Sequence, residues 1–103
     1  MAKPVTLVTF VLPTPLHNLV GGGLVQVFAV AETEESLPTL GSALDTLRRT
    51  HPRLEERIRD EHGEIRRHIN VFVSGDNVRN CGGLRCPVGP GAEVYVLPGL
   101  PAG

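Results

Sequence analysis

Between residues 69 and 73 the chain reads INVFV, with Ile69, Val71 and Val73 alternating against Asn70 and Phe72. A period of two makes a strand with one apolar face, and that face needs a second layer to cover it. Only one stretch has the length and pattern to supply that layer. After AETEES, Leu37, Leu40, Leu44 and Leu47 recur at steps of three and four, which sets them on one stripe of a helix. Ser36 is placed to cap this helix, Pro38 suits its first turn, and Asp45 with Arg49 stands at the i,i+4 spacing on its wet side.

The remaining elements fall into place around this pair. Val5 to Leu12 and Leu24 to Val30 are rich in valine, threonine and phenylalanine and read as strands. PTPLHNLVGGG between them reads as a flexible hairpin turn, because its three glycines are followed by no lysine with serine or threonine, as a phosphate loop requires. Pro52 disfavours helical geometry at His51, so PRLEERIRDEHGE is expected to form a short second helical piece ending near Gly63. SGDN supplies turn residues after INVFV, Leu84 and Val88 are the apolar anchors of the loop NCGGLRCPVGPGAE, and EVYVL forms the last strand. Strand, strand, helix, strand, a minor strand, strand is the order of an α+β β-grasp domain. Such a domain has a mixed four- to five-stranded sheet with one main helix across one face, although other small α+β domains share the pattern. Residues 1–98 are expected to form that single domain and residues 99–103 a flexible C-terminal tail.

Composition narrows the function more by exclusion than by assertion. Hydrophobic residues at 41% and charged residues at 20% suit a folded domain, and a net charge of -1 gives no field for steering toward nucleic acid or a membrane surface. The N-terminal run is broken by Pro13 and Pro15 and matches neither a secretion signal nor a membrane span, so a cytoplasmic location is expected. In that reducing compartment Cys81 and Cys86 are expected to stay thiols. Their C-x4-C spacing permits a disulfide under oxidation, or a reactive Cys81, and lacks the second pair of a structural zinc site. No metal is expected. The carboxylate pairs Glu34 with Glu35, Glu55 with Glu56, and Asp60 with Glu61 lie in segments that read as solvated, and no nucleophile-elbow or catalytic-cysteine spacing occurs. Aromatics at 4% give the arginine pairs no stacking platform for single-stranded nucleic acid. What remains is the terminal α-carboxylate of Gly103, at the end of the thin stretch PGLPAG.

INVFVSGDNVR, the Gly82-Gly83-Leu84 loop, EVYVLP and the terminal glycine, taken in that order, resemble the C-terminal half of the ubiquitin-like sulfur carrier proteins. This is the family of the thiamine sulfur carrier and the small subunit of molybdopterin synthase. Within it the chain is most similar to the actinobacterial carrier that serves cysteine biosynthesis. The resemblance is good from about Ile65 onward; before that it rests on strand order, the glycine-rich hairpin and the leucine stripe.

The resemblance implies that the chain is a protein cosubstrate and not an enzyme. A ubiquitin-activating-type adenylyltransferase/sulfurtransferase would activate Gly103 with ATP, and sulfur from a donor would displace AMP to leave a thiocarboxylate. The carrier itself would bind no cofactor. The sulfur acceptor would be a synthase; for cysteine synthesis it would be a pyridoxal-phosphate enzyme resembling a cysteine synthase, with a metallopeptidase to release the product. Pro98, Gly99, Leu100, Pro101 and Ala102 would thread into the partners. Five residues beyond Pro98 reach at most roughly 17 Å, and the prolines reduce the entropy that threading must overcome. Family tails usually end in two glycines, whereas Ala102 precedes Gly103 here. If the partner's channel demands positive φ at that residue, alanine costs about 1–2 kcal/mol.

Strand alternation puts Phe72, Tyr95 and Leu97 on the sheet face away from the helix, a candidate docking surface unless the N-terminal segment or PTPLHNLV folds over it. A ubiquitin-like modifier or binding module that never carries sulfur, and a domain whose end is merely frayed, are the alternative readings.

Overall fold

A computed structural model describes residues 2–98. β1 (Val5–Val11) and β2 (Leu24–Val30) form an antiparallel hairpin, followed by the helices α1 (Leu40–Thr50) and α2 (Pro52–Ile58). Then come β3 (Ile69–Val73), the two-residue β4 (Asp76–Asn77) and β5 (Glu93–Pro98). The five strands lie in the order β2-β1-β5-β3-β4. β5 enters the middle of the sheet, parallel to β1 and antiparallel to β3. This is the mixed sheet with a helix across one face that a β-grasp requires, at the upper end of the expected strand number.

Alternation decides which side of the sheet is dry. Val8 and Phe10 of β1, Val27 and Ala29 of β2, Val71 and Val73 of β3, and Val94 and Val96 of β5 all point to one face. There they meet Leu40, Ala43, Leu44 and Leu47 of α1 with Leu54 and Ile58 of α2 in one buried cluster. Each fully buried aliphatic side chain in such a cluster is worth about 1.5–3 kcal/mol against exposure. The hairpin between β3 and β4 is a two-residue turn, and both of its residues, Ser74 (φ 49) and Gly75 (φ 94), take positive φ. That backbone twist matches the twist of the flanking strands.

Five expectations are corrected. The main helix begins at Leu40, not in the Ser36–Pro38 turn. Thr39 is its cap, and its Oγ1 accepts from Ser42 N at 3.2 Å. The chain before it is held elsewhere: Pro38 O takes Val88 N at 2.8 Å, Leu40 N goes to Cys86 O at 2.9 Å, and Thr39 bridges Pro87. Helical geometry is available only after that bridge. Ser36 closes a local turn with Thr33, and Leu37 is left 51% exposed.

The second helix ends at Ile58. Arg59 is extended, and Asp60 folds the following turn by accepting from both His62 N (2.8 Å) and Glu64 N (3.1 Å). The Glu64 N–H first, with that of His62 assisting, holds the Asp60 carboxyl below its ordinary range.

Asp45 pairs with Arg59 at 3.0 Å and not with Arg49, which donates to Thr46 Oγ1. Glu55 is buried, not solvated. Its carboxylate takes Arg59 Nε at 2.5 Å, because stacking α2 on α1 carries both side chains inside.

The connection between β1 and β2 is built rather than slack. A 3-10 turn, Thr14–Leu19, packs Leu16 and Leu19 against the core, and His17 Nε2 lies 3.0 Å from Leu12 O. His17 also lies against Gly23, where a Cβ would come within 3.0 Å of its ring.

Candidate functional site: the root of the C-terminal tail and the open sheet face

β5 delivers the end of the chain. Val94 and Val96 point into the core while Tyr95 and Leu97 point out, so the strand is gripped on one face and open on the other. Its last described residue, Pro98, is exposed and stands in register with Ile69 at the start of β3. Proline lacks an N–H, so the ladder loses a donor there and pairing ends naturally at the sheet margin. Gly99, Leu100, Pro101, Ala102 and Gly103, the proposed threading residues and sulfur position, lie outside the described residues.

The strand beside this root is braced from below. Arg79, two residues beyond β4, donates to Asn70 Oδ1 at 2.8 Å and to Ile69 O at 3.0 Å. Sequence reasoning used Arg79 as part of a motif and gave it no task, because no local spacing announces a bond made across to the entrance of β3. Arg67 and His68, both exposed, precede Ile69 and give this margin a basic rim.

Phe72, Tyr95 and Leu97 are brought together as expected. Phe72 is opposite Tyr95, and Leu97 is opposite Asn70. Tyr95 is 40% and Leu97 41% exposed, while Phe72 is half-buried. PTPLHNLV does not cover them. Its 3-10 turn packs beside α2, on the other side of the sheet.

The open face is also larger than those three residues. Val11 aligns with both Leu24 and Tyr95, so Leu24, Val11, Tyr95 and Phe72 make one apolar row across four strands. Gln26, Thr9 and Glu93 make a polar row beside it, with Gln26 Nε2 donating to Thr9 Oγ1 at 3.2 Å. Beyond that lies a second apolar block of Leu7 with Phe28 and Val5 with Val30. The signal for this extension was present in the two-sided apolar pattern of β1 and β2.

Among the described residues no group of three or more His, Cys, Asp or Glu side chains is arranged to hold a metal ion, and no helix is long and apolar enough to cross a membrane. A groove of roughly 790 Å³ opens between the start of α1 and Arg85 and includes none of Phe72, Tyr95, Leu97 or Pro98 in its walls. The geometry offers a surface and an exit point.

No family model matches the chain. Individual proteins do. The sulfur carrier protein CysO of Mycobacterium tuberculosis is 30% identical over 98 residues, covering 93% of this chain and 98% of that protein. The crystal structure of M. tuberculosis CysO superposes with a TM-score of 0.71 over 90% of this chain and 99% of that one. CysO in the crystal structure of the Amycolatopsis orientalis BexX/CysO complex gives 30% identity and a TM-score of 0.71, over 93% and 99% of the two chains. The crystal structure of SAMP1 from Haloferax volcanii gives 29% identity and a TM-score of 0.69, over 94% and 99%.

Proposed function

Because the chain belongs to the ubiquitin-like sulfur carrier family, we propose that it carries sulfur as a thiocarboxylate on Gly103 and serves as a cosubstrate for partner enzymes. The observation that carries this reading is the match to a sulfur carrier along nearly the whole of both chains. The fold supports it physically. β5 is held between β1 and β3 as far as Tyr95 and by β3 alone from there to Pro98, so a partner meets a fixed root before it meets the tail.

In the proposed cycle the terminal carboxylate attacks the α-phosphorus of ATP on an activating partner, and pyrophosphate leaves. A sulfide nucleophile then adds to the acyl adenylate carbonyl and expels AMP. The thiocarboxylate sulfur, softer than oxygen and tethered to a protein, attacks an electrophile held by an acceptor enzyme. ATP and any pyridoxal phosphate belong to those partners. Likeness to CysO favours an acceptor in cysteine or specialised-metabolite biosynthesis, in the cytoplasm, and the BexX/CysO complex supports docking of such a carrier on a partner protein. Phe72, Tyr95 and Leu97 would form the docking surface, with Pro98 to Ala102 threading toward the reacting centre.

Intact-mass analysis tests the reading. After incubation with the activating partner, ATP and a sulfur donor, one oxygen is replaced by sulfur, and deleting Ala102 and Gly103 abolishes the change. An unchanged mass in the full chain would overturn the proposal. A second reading, covalent attachment to other proteins, is favoured by a 38-residue stretch that is 47% identical to small archaeal modifier protein 1 of H. volcanii. It predicts an isopeptide adduct on a partner lysine, which sulfur transfer does not require.

A further inference from the structure

We propose that Cys81 and Cys86 are a dithiol pair that closes reversibly to an intramolecular disulfide, making the loop between β4 and β5 a redox-modified site. Five residues of extended chain would separate the two Cα atoms by roughly 17 Å, far beyond the approximately 4.4–6.8 Å a disulfide spans. The loop shortens that distance. It is two successive 3-10 turns, Val78–Asn80 and Gly83–Arg85, joined through Gly82 (φ 93) and Gly83 (φ 63), both in the left-handed region.

The chain therefore doubles back on itself. Arg85 N donates to Gly82 O and Cys86 N to Gly83 O, each at 3.1 Å. A Cβ on Gly82 would stand 3.8 Å from Cys86 N. With the backbone so folded, Cys81 comes near enough to help raise the Cys86 thiol, which itself points toward Pro87 O at 3.9 Å.

The two thiols are not equivalent. Cys86 is 1% exposed and belongs to the core, whereas Cys81 is half-buried at its edge. An incoming disulfide such as oxidised glutathione therefore meets Cys81 first. The Cys81 thiolate attacks one sulfur, one glutathione leaves as thiol, and a mixed disulfide forms. The Cys86 thiolate then attacks Cys81 Sγ and expels the second glutathione. Two electrons pass from the protein thiols to the reagent, and the two thiol protons end on the two released glutathiones. Burial first, and then the neighbouring Cys81 and Asp76, push the Cys86 thiol up to about 12, so the second step is the slow one.

Closure ties down a loop that also positions α1. Cys86 O accepts Leu40 N, and Leu84 O lies 3.2 Å from where a Cβ on Gly41 would be. Accessible disulfides are the readily reduced ones, and a reductant would reach this one from the Cys81 side. The inference is independent of whether Gly103 carries sulfur.

The test uses the full, reduced chain with oxidised glutathione at neutral pH, followed by iodoacetamide trapping and mass analysis. The expected course is a glutathione adduct on Cys81, then its conversion to a glutathione-free species lacking two hydrogens, with both cysteines protected in one cross-linked peptide. Dithiothreitol restores both thiols. Cys86→Ala stops at the adduct, which separates closure from simple capping. If the natural chain also stops at the adduct, forms only intermolecular dimers, or leaves both cysteines open to alkylation, the proposal fails.

Discussion

At the scale of residues, Arg59 is the most exposed to loss by mutation. It is 8% exposed and serves the carboxylates of Glu55, also buried, and Asp45, which is 71% exposed. Arg59→Ala would leave the Glu55 carboxyl without its partner in the interior, a loss that costs about 3–5 kcal/mol, read as a drop in denaturant midpoint. Replacing both partners, Glu55→Leu with Arg59→Met, is expected to recover most of that loss. Asp45→Asn, at the wet end, should cost under ~1 kcal/mol.

Cys86 gives a second prediction. Its thiol is raised from 9.0 to about 12, so above pH 9 the unfolded chain sheds this proton while the folded chain keeps it. This contribution to stability is complete below pH 9 and is lost as the pH rises toward 12. Cys86→Ala should flatten that part of a base-unfolding curve while lowering the plateau at neutral pH. Neither burial was legible beforehand. Glu55 sits in a charged run and the two cysteines in a glycine-rich loop, and a chain read in one dimension carries no mark of which charge will be stacked under a neighbouring helix.

The strands fared better at the scale of elements because a period of two is a local property. The alternation in INVFV and EVYVL correctly separated Val71, Val73, Val94 and Val96 inside from Phe72, Tyr95 and Leu97 outside. The start of α1 fared worse, since it is decided by bonds from Pro38 and Leu40 to Val88 and Cys86, far along the chain. Both Ser36 and Thr39 are good caps by type, and only those distant bonds choose between them. Thr39→Ala should therefore cost about 1 kcal/mol of stability, whereas Ser36→Ala should leave α1 intact, with thermal unfolding followed by circular dichroism distinguishing the two.

For the molecule as a whole, the two faces of one sheet have divided the labour. The covered face holds the fold together, and the open face carries the apolar rows that the proposed docking would use. Tyr95→Ala and Leu97→Ala are each expected to weaken partner binding by about 1–2 kcal/mol with little change in melting temperature, measured by calorimetry beside a thermal melt. Phe72→Ala should lose both affinity and stability, because its ring is half-buried. The same openness has a cost at the rim. β2 is an edge strand with Leu24 at 64% and Phe28 at 60% exposure, so Phe28→Lys should raise the concentration at which light scattering first detects self-association.

The central seat of β5 also bears on how the chain meets mechanical force. β1 and β5 run side by side in the same direction, so tension between Val5 and Pro98 drags them past each other lengthwise. The ladder bonds then share the load together instead of opening one at a time like a zipper, and β3 adds a second seam that must slide simultaneously. A motor that seized this terminus would have to shear both seams before the core gave way.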